Sequence, residues 1–265
     1  MNVAEINPAV ASDHLSLELY EQTLRKAREL GYEFPVVSEM RDRGEFPQRF
    51  LLMRHDIDTS PRNALEMARI EHRLGVRASY FVLMHSPFYN PAAPPHYDAL
   101  RSILDLGGEI GLHYDTQFFE DRKIDPLAGT LEDAVMLEKA LGTKIISVSQ
   151  HRPASSVFLK ELNRHFVDAY NKDLMEGVCY ISDSGFKWRG QPLIDLLGRE
   201  DRIHALIHPT SWTYGDLDMA GTYRQLEQQL IAELKNEIEE LITSTNQYLL
   251  KREQLDAARK LQYRQ

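Results

Sequence analysis

Between residues 50 and 208 the chain alternates short apolar stretches with longer segments of helical character. The strand candidates are 50–54, 76–83, 109–113, 144–148, 178–182 and 203–207, with a weaker one at 34–37. The helical candidates are 15–30, 61–74, 97–106, 131–141, 157–164 and 192–197. Ser12 or Asp13 can cap the first, and Gly31 can end it. Ser60-Pro61 reads as an N-cap followed by proline in the first helical turn, and Gly75 and Gly142 read as helix stops. Strands that alternate with helices must be joined by crossovers, which predicts a parallel sheet. So many units in one chain favour a (β/α) barrel or a doubly wound sheet. In both, ligands gather at the carboxyl ends of the strands. Asp56, Asp58, His113, His151, Arg152, Asp183 and His208 all fall at such ends.

From Tyr223 to about Leu261 the character changes: glycine and proline vanish, and Leu226, Leu230, Leu234, Ile238, Leu241 and Tyr248 recur at helical spacing. This is one long helix, or two separated near Thr243–Asn246. It is read as either docked on its own domain or paired with a second subunit. The expected division is a domain over 1–221 and a helical extension over 222–265.

Composition narrows the partners. A net charge of −9 with no long basic block argues against nucleic acid or an anionic membrane as the partner. The single cysteine, Cys179, excludes an intrachain disulfide and reads as core. No apolar run approaches the roughly 18 residues of a membrane span. No secretory leader is visible in residues 1–13, so a cytoplasmic protein acting on a small molecule or sugar is expected.

The run Leu51-Leu52-Met53-Arg54-His55-Asp56-Ile57-Asp58 carries the sharpest chemistry. Strand alternation puts Asp56 and Asp58 on one side and His55 and Ile57 on the other. Two neighbouring carboxylates do not both stay ionised easily without a cation. The pair can therefore hold a divalent metal, with a carboxylate taking a proton from its water; the plainer alternative is that Asp58 caps the next helix. His113, His151 and His208 are each a metal ligand or an ordinary strand-end histidine. Arg152 orients a carboxylate, binds an anionic group or forms a surface ion pair. Asp183 lies in a turn, and Trp188 and Trp212 wall a pocket or fill the core. His55 is expected to be a structural hydrogen-bond donor.

Several motifs resemble those of the NodB-type polysaccharide deacetylases, carbohydrate esterase family four, over roughly Phe50 to Trp212. Arg54-His55-Asp56-Ile57-Asp58 resembles the family's first motif, and Gly108-Glu109-Ile110-Gly111-Leu112-His113 the lead-in to its metal histidines. Arg152-Pro153, Asp183–Trp188 and Leu206-Ile207-His208 resemble the later motifs. The resemblance implies an irregular (β/α) barrel of seven strands and metal-dependent removal of acyl groups, mostly from amino sugars. It assigns Asp56 as base, Asp58 and His113 as metal ligands, Arg152 as the brace of Asp56 and His208 as general acid. Tyr114, Asp183, Trp188 and Trp212 fall where substrate contacts are expected. The family's second histidine would fall at residue 117, which is Gln117. His151, ending the next strand, is the preferred substitute, and its role is exchangeable with that of His208. The implied cofactor is a divalent metal, Zn2+ first. The alternative is a non-catalytic sugar-binding or regulatory protein on a degenerate barrel.

Overall fold

The computed structural model describes residues 14–41, 47–153, 159–215 and 217–262, with side chains to 256. The chain divides into two compact units, Met1–Met219 and Ala220–Gln265.

The first unit is an irregular (β/α) barrel. Its strands are β1 (Phe50–Ile57), β2 (Ser79–Leu83), β3 (Glu109–Tyr114), β4 (Ser147–Gln150), β5 (Val167–Asp168), β6 (Cys179–Ser182) and β7 (Arg202–Ile207). All pairs are parallel, in the order β5-β4-β3-β2-β1-β7-β6. β1 is thus central, flanked by β2 and β7. The helices are α1 (Leu17–Glu29), α2 (Pro61–Leu74), α3 (Pro94–Asp105), α4 (Thr116–Asp121) and α5 (Pro126–Leu141). Three single turns follow: α6 (Lys172–Met175), α7 (Leu193–Leu196) and α8 (Thr210–Thr213).

Local chemistry sets the helix ends. Ser60 Oγ accepts the Asn63 amide at the start of α2, with Pro61 at its first position. Gly75 ends α2 at φ 63°, a left-handed conformation that costs glycine little. The cap of α1 is Ser16; Ser12 and Asp13 lie outside the described residues. Asp125-Pro126 starts α5 five residues earlier than the apolar periodicity suggests, through an Asp125 cap on the Ala128 amide. The candidate strand at 34–37 is only a bridge from Glu33 to Phe50, followed by a 3-10 turn at Val37–Met40. Pro35 has no amide to give a ladder there. Of the helix expected at 157–164, a 3-10 turn at Lys160–Arg164 is present, and Val157 and Phe158 lie outside the described residues.

Two apolar cores sit on opposite sides of the curved sheet. The larger packs α1, α2, α3 and α5 on the outer face, through Leu24, Met67, Leu100, Leu137 and their neighbours. The smaller fills the interior with Val37, Met40, Phe50, Leu52, Phe81, Val167, Ala169 and Leu174. Above it the interior is tight: a Cβ on Gly111 would come within 2.5 Å of the Phe81 ring and 2.6 Å of Ser147 Oγ. At the amino-terminal end of β3, Glu109 accepts hydrogen bonds from Ser79 Oγ and Ser147 Oγ, both at 2.6 Å. Val37 in turn donates its amide to Ser79 Oγ at 2.8 Å. Apolar packing and this polar clasp therefore close one end of the barrel, and the chemistry-bearing residues collect at the other.

The second unit is dominated by α9 (Met219–Gln262), one uninterrupted helix. It does not break at Thr243–Asn246. Among the described residues no helix is long and apolar enough to cross a membrane.

Candidate metal centre and active site

β1 delivers three functional side chains to one side of the sheet. Arg54 and Asp56 project from the same strand face, and Asp58 follows the strand end. The Arg54 guanidinium grips the Asp56 carboxylate with both ends, Nε to Oδ1 at 3.0 Å and Nη2 to Oδ2 at 2.7 Å. Ser149 Oγ adds a longer contact of 3.4 Å to Oδ1. Arg54 is itself fixed by Tyr170, whose hydroxyl accepts from Nη2 at 3.1 Å and whose ring lies 4.3 Å from the guanidinium. Burial alone would raise the Asp56 pKa. The opposing charge of Arg54, then those of His113 and His208, outweigh it and hold the carboxyl well below the usual carboxylate range.

A loop after β2 locks the end of β1. Tyr89 donates its hydroxyl to the Ile57 carbonyl at 2.7 Å, and Ser86 Oγ donates to the Asp58 carbonyl at 2.8 Å. Asp58 therefore has a fixed backbone although its side chain is one-third exposed.

Asp58, His113 and His151 each point one ligand atom to a common place, with these atoms all within 4.8 Å of one another. His113 Nδ1 lies 2.9 Å from the Ser149 carbonyl, which can only accept. That fixes the proton on Nδ1 and turns the Nε2 lone pair towards Asp58 Oδ1, 3.4 Å away. His151 repeats the arrangement, with Nδ1 held 3.1 Å from Asp115 Oδ2. Asp115 is kept below its ordinary pKa: burial pushes it up, but the His151 bond and the Phe118 and Gln117 amides pull it further down. The two imidazoles meet edge to face at 5.1 Å.

These residues fit a metal. Asp58 Oδ1 is buried and has no hydrogen-bond donor among the described residues, a costly state for a carboxylate oxygen. Two imidazoles, each oriented through its other nitrogen, and one carboxylate form a donor set suited to zinc. Gln117 stands at the second position of α4, exposed, and spends its amide on Asp121 at 2.8 Å. His151, arriving from β4, stands in the trio instead.

His208, just past β7, faces the trio from the opposite side, with Nε2 4.0 Å from Asp58 Oδ2. Asp183 holds it through its backbone amide, at 2.9 and 3.1 Å, and through Nδ1 at 2.6 Å. Burial would depress the His208 pKa, but the Asp183 carboxylate and its hydrogen bond overcome this and raise it to about 9.

Four sequence expectations require correction. Arg152 does not brace Asp56. Its side chain is exposed on a left-handed residue at φ 50°, and Arg54, two residues before Asp56 on the same strand face, already holds both carboxylate oxygens. Tyr114 is fully buried and donates to Asp168 at 3.2 Å. Asp183 is fully buried between His208 and the Trp212 indole N–H, at 2.8 Å. Trp212 is 1% exposed and packs edge-on against Tyr20 and Trp188. These three support the site from behind and present no surface to a ligand. Trp188 is buried at 8% exposure, and its indole N–H has no partner among the described residues. His55 is structural as expected, on the opposite face of β1.

The residues that sequence reasoning missed are Arg54, Asp115, Ser149 and Tyr170. Only Arg54 carried a readable signal, its i, i+2 spacing to Asp56.

The sequence matches no family model and no curated protein. Among solved structures, the fold is similar to that of the Streptococcus pyogenes deacetylase PplD in complex with acetate. That pair shares 15% identity over 77% of this chain and 88% of the other, with a TM-score of 0.45. The Bacillus subtilis peptidoglycan deacetylase PdaC aligns at 17% identity over 73% of this chain and 96% of its own, with a TM-score of 0.41. A family 4 carbohydrate esterase from Bacillus anthracis aligns at 14% identity over 81% and 86%, also with a TM-score of 0.41.

Proposed function

We propose that this protein is a metal-dependent hydrolase that removes an acyl group from the amide nitrogen of an acylated sugar or a related small molecule. One observation carries the reading: a carboxylate clamped by an arginine, Asp56 on Arg54, and an imidazole clamped by a carboxylate, His208 on Asp183, stand beside the Asp58–His113–His151 trio. Asp56 is held ionised by Arg54, and His208 is held protonated by Asp183. A base and an acid ready at the same pH are what amide hydrolysis needs.

Asp58, His113 and His151 would hold the ion, with zinc best matched to one carboxylate and two imidazoles. When bound, the metal supplies Lewis acidity, polarising the acyl oxygen and acidifying a water. Asp56 takes the proton as the water oxygen bonds to the acyl carbon. Arg54 keeps that carboxylate oriented and charged until then. His208 gives its proton to the nitrogen as the carbon–nitrogen bond breaks, leaving a carboxylate and a free amine. Asp183 stabilises the protonated imidazole beforehand and orients the ring. The acylated-sugar preference rests on the resemblance of the motifs at Arg54–Asp58 and Gly108–His113 to those of polysaccharide deacetylases.

The non-catalytic alternative drew its support from Gln117. His151 supplies a third donor in its place, which favours the hydrolase. The test is zinc-reconstituted protein assayed against panels of N-acetylated, N-formylated and O-acetylated sugars. Release of acid from the amides that is lost in Asp56→Asn supports the reading. Stoichiometric metal with no release from any panel member would return the binding protein to first place.

A further inference from the structure

The C-terminal helix carries an apolar stripe open to solvent. Ile231 and Ile238 stand at a positions of a heptad repeat, and Leu234, Leu241, Tyr248 and Leu255 stand at d. All six are exposed, Leu234, Leu241 and Tyr248 by more than 60%. A 3.5-residue repeat from Ile231 to Leu255, about 37 Å at 1.5 Å per residue and broken only by Thr245 and Arg252 at a, is the pattern of a helix that winds on another helix. The b and c positions are polar apart from Ala232, while the exposed Ile242 and Leu249 at e widen the stripe on the flank beside a.

Charge decides the occupant and its direction. Before its midpoint the helix is acidic, with Glu233, Glu237, Glu239 and Glu240 against Lys235. After it Lys251 and Arg252 are matched by Glu253 and Asp256, so the opposite charges at the g positions Glu237 and Lys251 are what a partner helix can use. A parallel pair would stack Arg252 on Arg252 in the seam and leave Glu237 beside the partner's Ile242, which costs free energy. An antiparallel pair centred near Thr243 gives every a residue a partner at d. Ile231 meets the partner's Leu255, Ile238 its Tyr248, Thr245 its Leu241, and Arg252 its Leu234. The same register sets Glu237 beside the partner's Lys251, twice, and brings Ile242 and Ser244 against their own copies. We propose that the helix pairs with a second copy of itself as an antiparallel two-stranded coiled coil, making the protein a dimer.

Sedimentation equilibrium on the full chain tests the pairing. A dimer is expected, its dissociation constant raised at least a hundredfold by Leu241→Glu. Glu237→Lys should weaken it about tenfold, with recovery when Lys251→Glu is added. These side chains are exposed, so circular dichroism should show each variant folded. A wild-type monomer at all concentrations, or a dimer indifferent to both Leu241→Glu and Glu237→Lys, would overturn the proposal. The direction is read by oxidation in a Cys179→Ser background. Ser244→Cys should give a disulfide-linked dimer and Leu241→Cys should not; the reverse would overturn the antiparallel register.

Discussion

Two clusters of histidine and carboxylate lie on opposite faces of β1, and their carboxylates are treated differently. On the outer face, Glu71 accepts from Tyr20, from Tyr80 at 2.6 Å and from His55 at 2.7 Å, so both its oxygens are satisfied. On the inner face, Asp58, His113 and His151 converge, and the buried Asp58 Oδ1 has no donor among the described residues. A saturated carboxylate is a fastening, whereas an unsaturated one beside two oriented imidazole lone pairs is a site that awaits a cation. Neighbouring residues of β1, His55 and Asp56, thus serve the core on one side and face the candidate site on the other.

The largest expected effect tests that contrast directly. His113→Ala should abolish both stoichiometric zinc binding and turnover, measured by metal analysis and product release, with the thermal transition little changed. Next, His208→Ala should keep the metal and lower kcat by about 10²–10⁴-fold, the usual size of a lost general acid. A His208→Ala variant that loses the metal would mean that His208 is a ligand. Asp115→Ala should weaken zinc affinity by about 10–100-fold through the misoriented His151, read by competition with a chelator. Glu71→Ala should reverse the pattern: about 3 kcal/mol less stable to denaturant, because it strands a buried polar cluster, yet still binding one zinc.

The smallest effect is one of titration. In the metal-free protein His208 should show an NMR midpoint near 9, falling in Asp183→Asn. The raised pKa means that the stability it lends is full below its unfolded value of about 6.5. That contribution is lost as the pH rises through about 9. A midpoint at or below the ordinary imidazole value would remove the argument for His208 as a protonated acid.

Local chemistry was legible in the sequence wherever it acts within a few residues. Ser60-Pro61, Gly75 and Gly142 marked helix ends where they stand. Strand pairing was less so, because it is non-local. Val76 and Ile145 are buried and apolar, yet β2 and β4 begin only at Ser79 and Ser147. The two-residue β5 and the short α4 gave no periodicity to detect. At the site, Asp56, Asp58, His113, His151 and His208 were readable because each sits at a strand end. Arg54 was readable in principle from alternation along β1. Asp115 with His151 and Arg54 with Tyr170 join residues 36 and 116 apart in sequence, a closeness that only the closed sheet creates.

The most direct measurement is a zinc-anomalous crystal structure of the reconstituted protein. One ion bound by Asp58, His113 and His151, with His208 outside its coordination and Arg54 still on Asp56, is the expected result. An ion held without His151, or none at this strand end under saturating zinc, would contradict the metal-hydrolase reading.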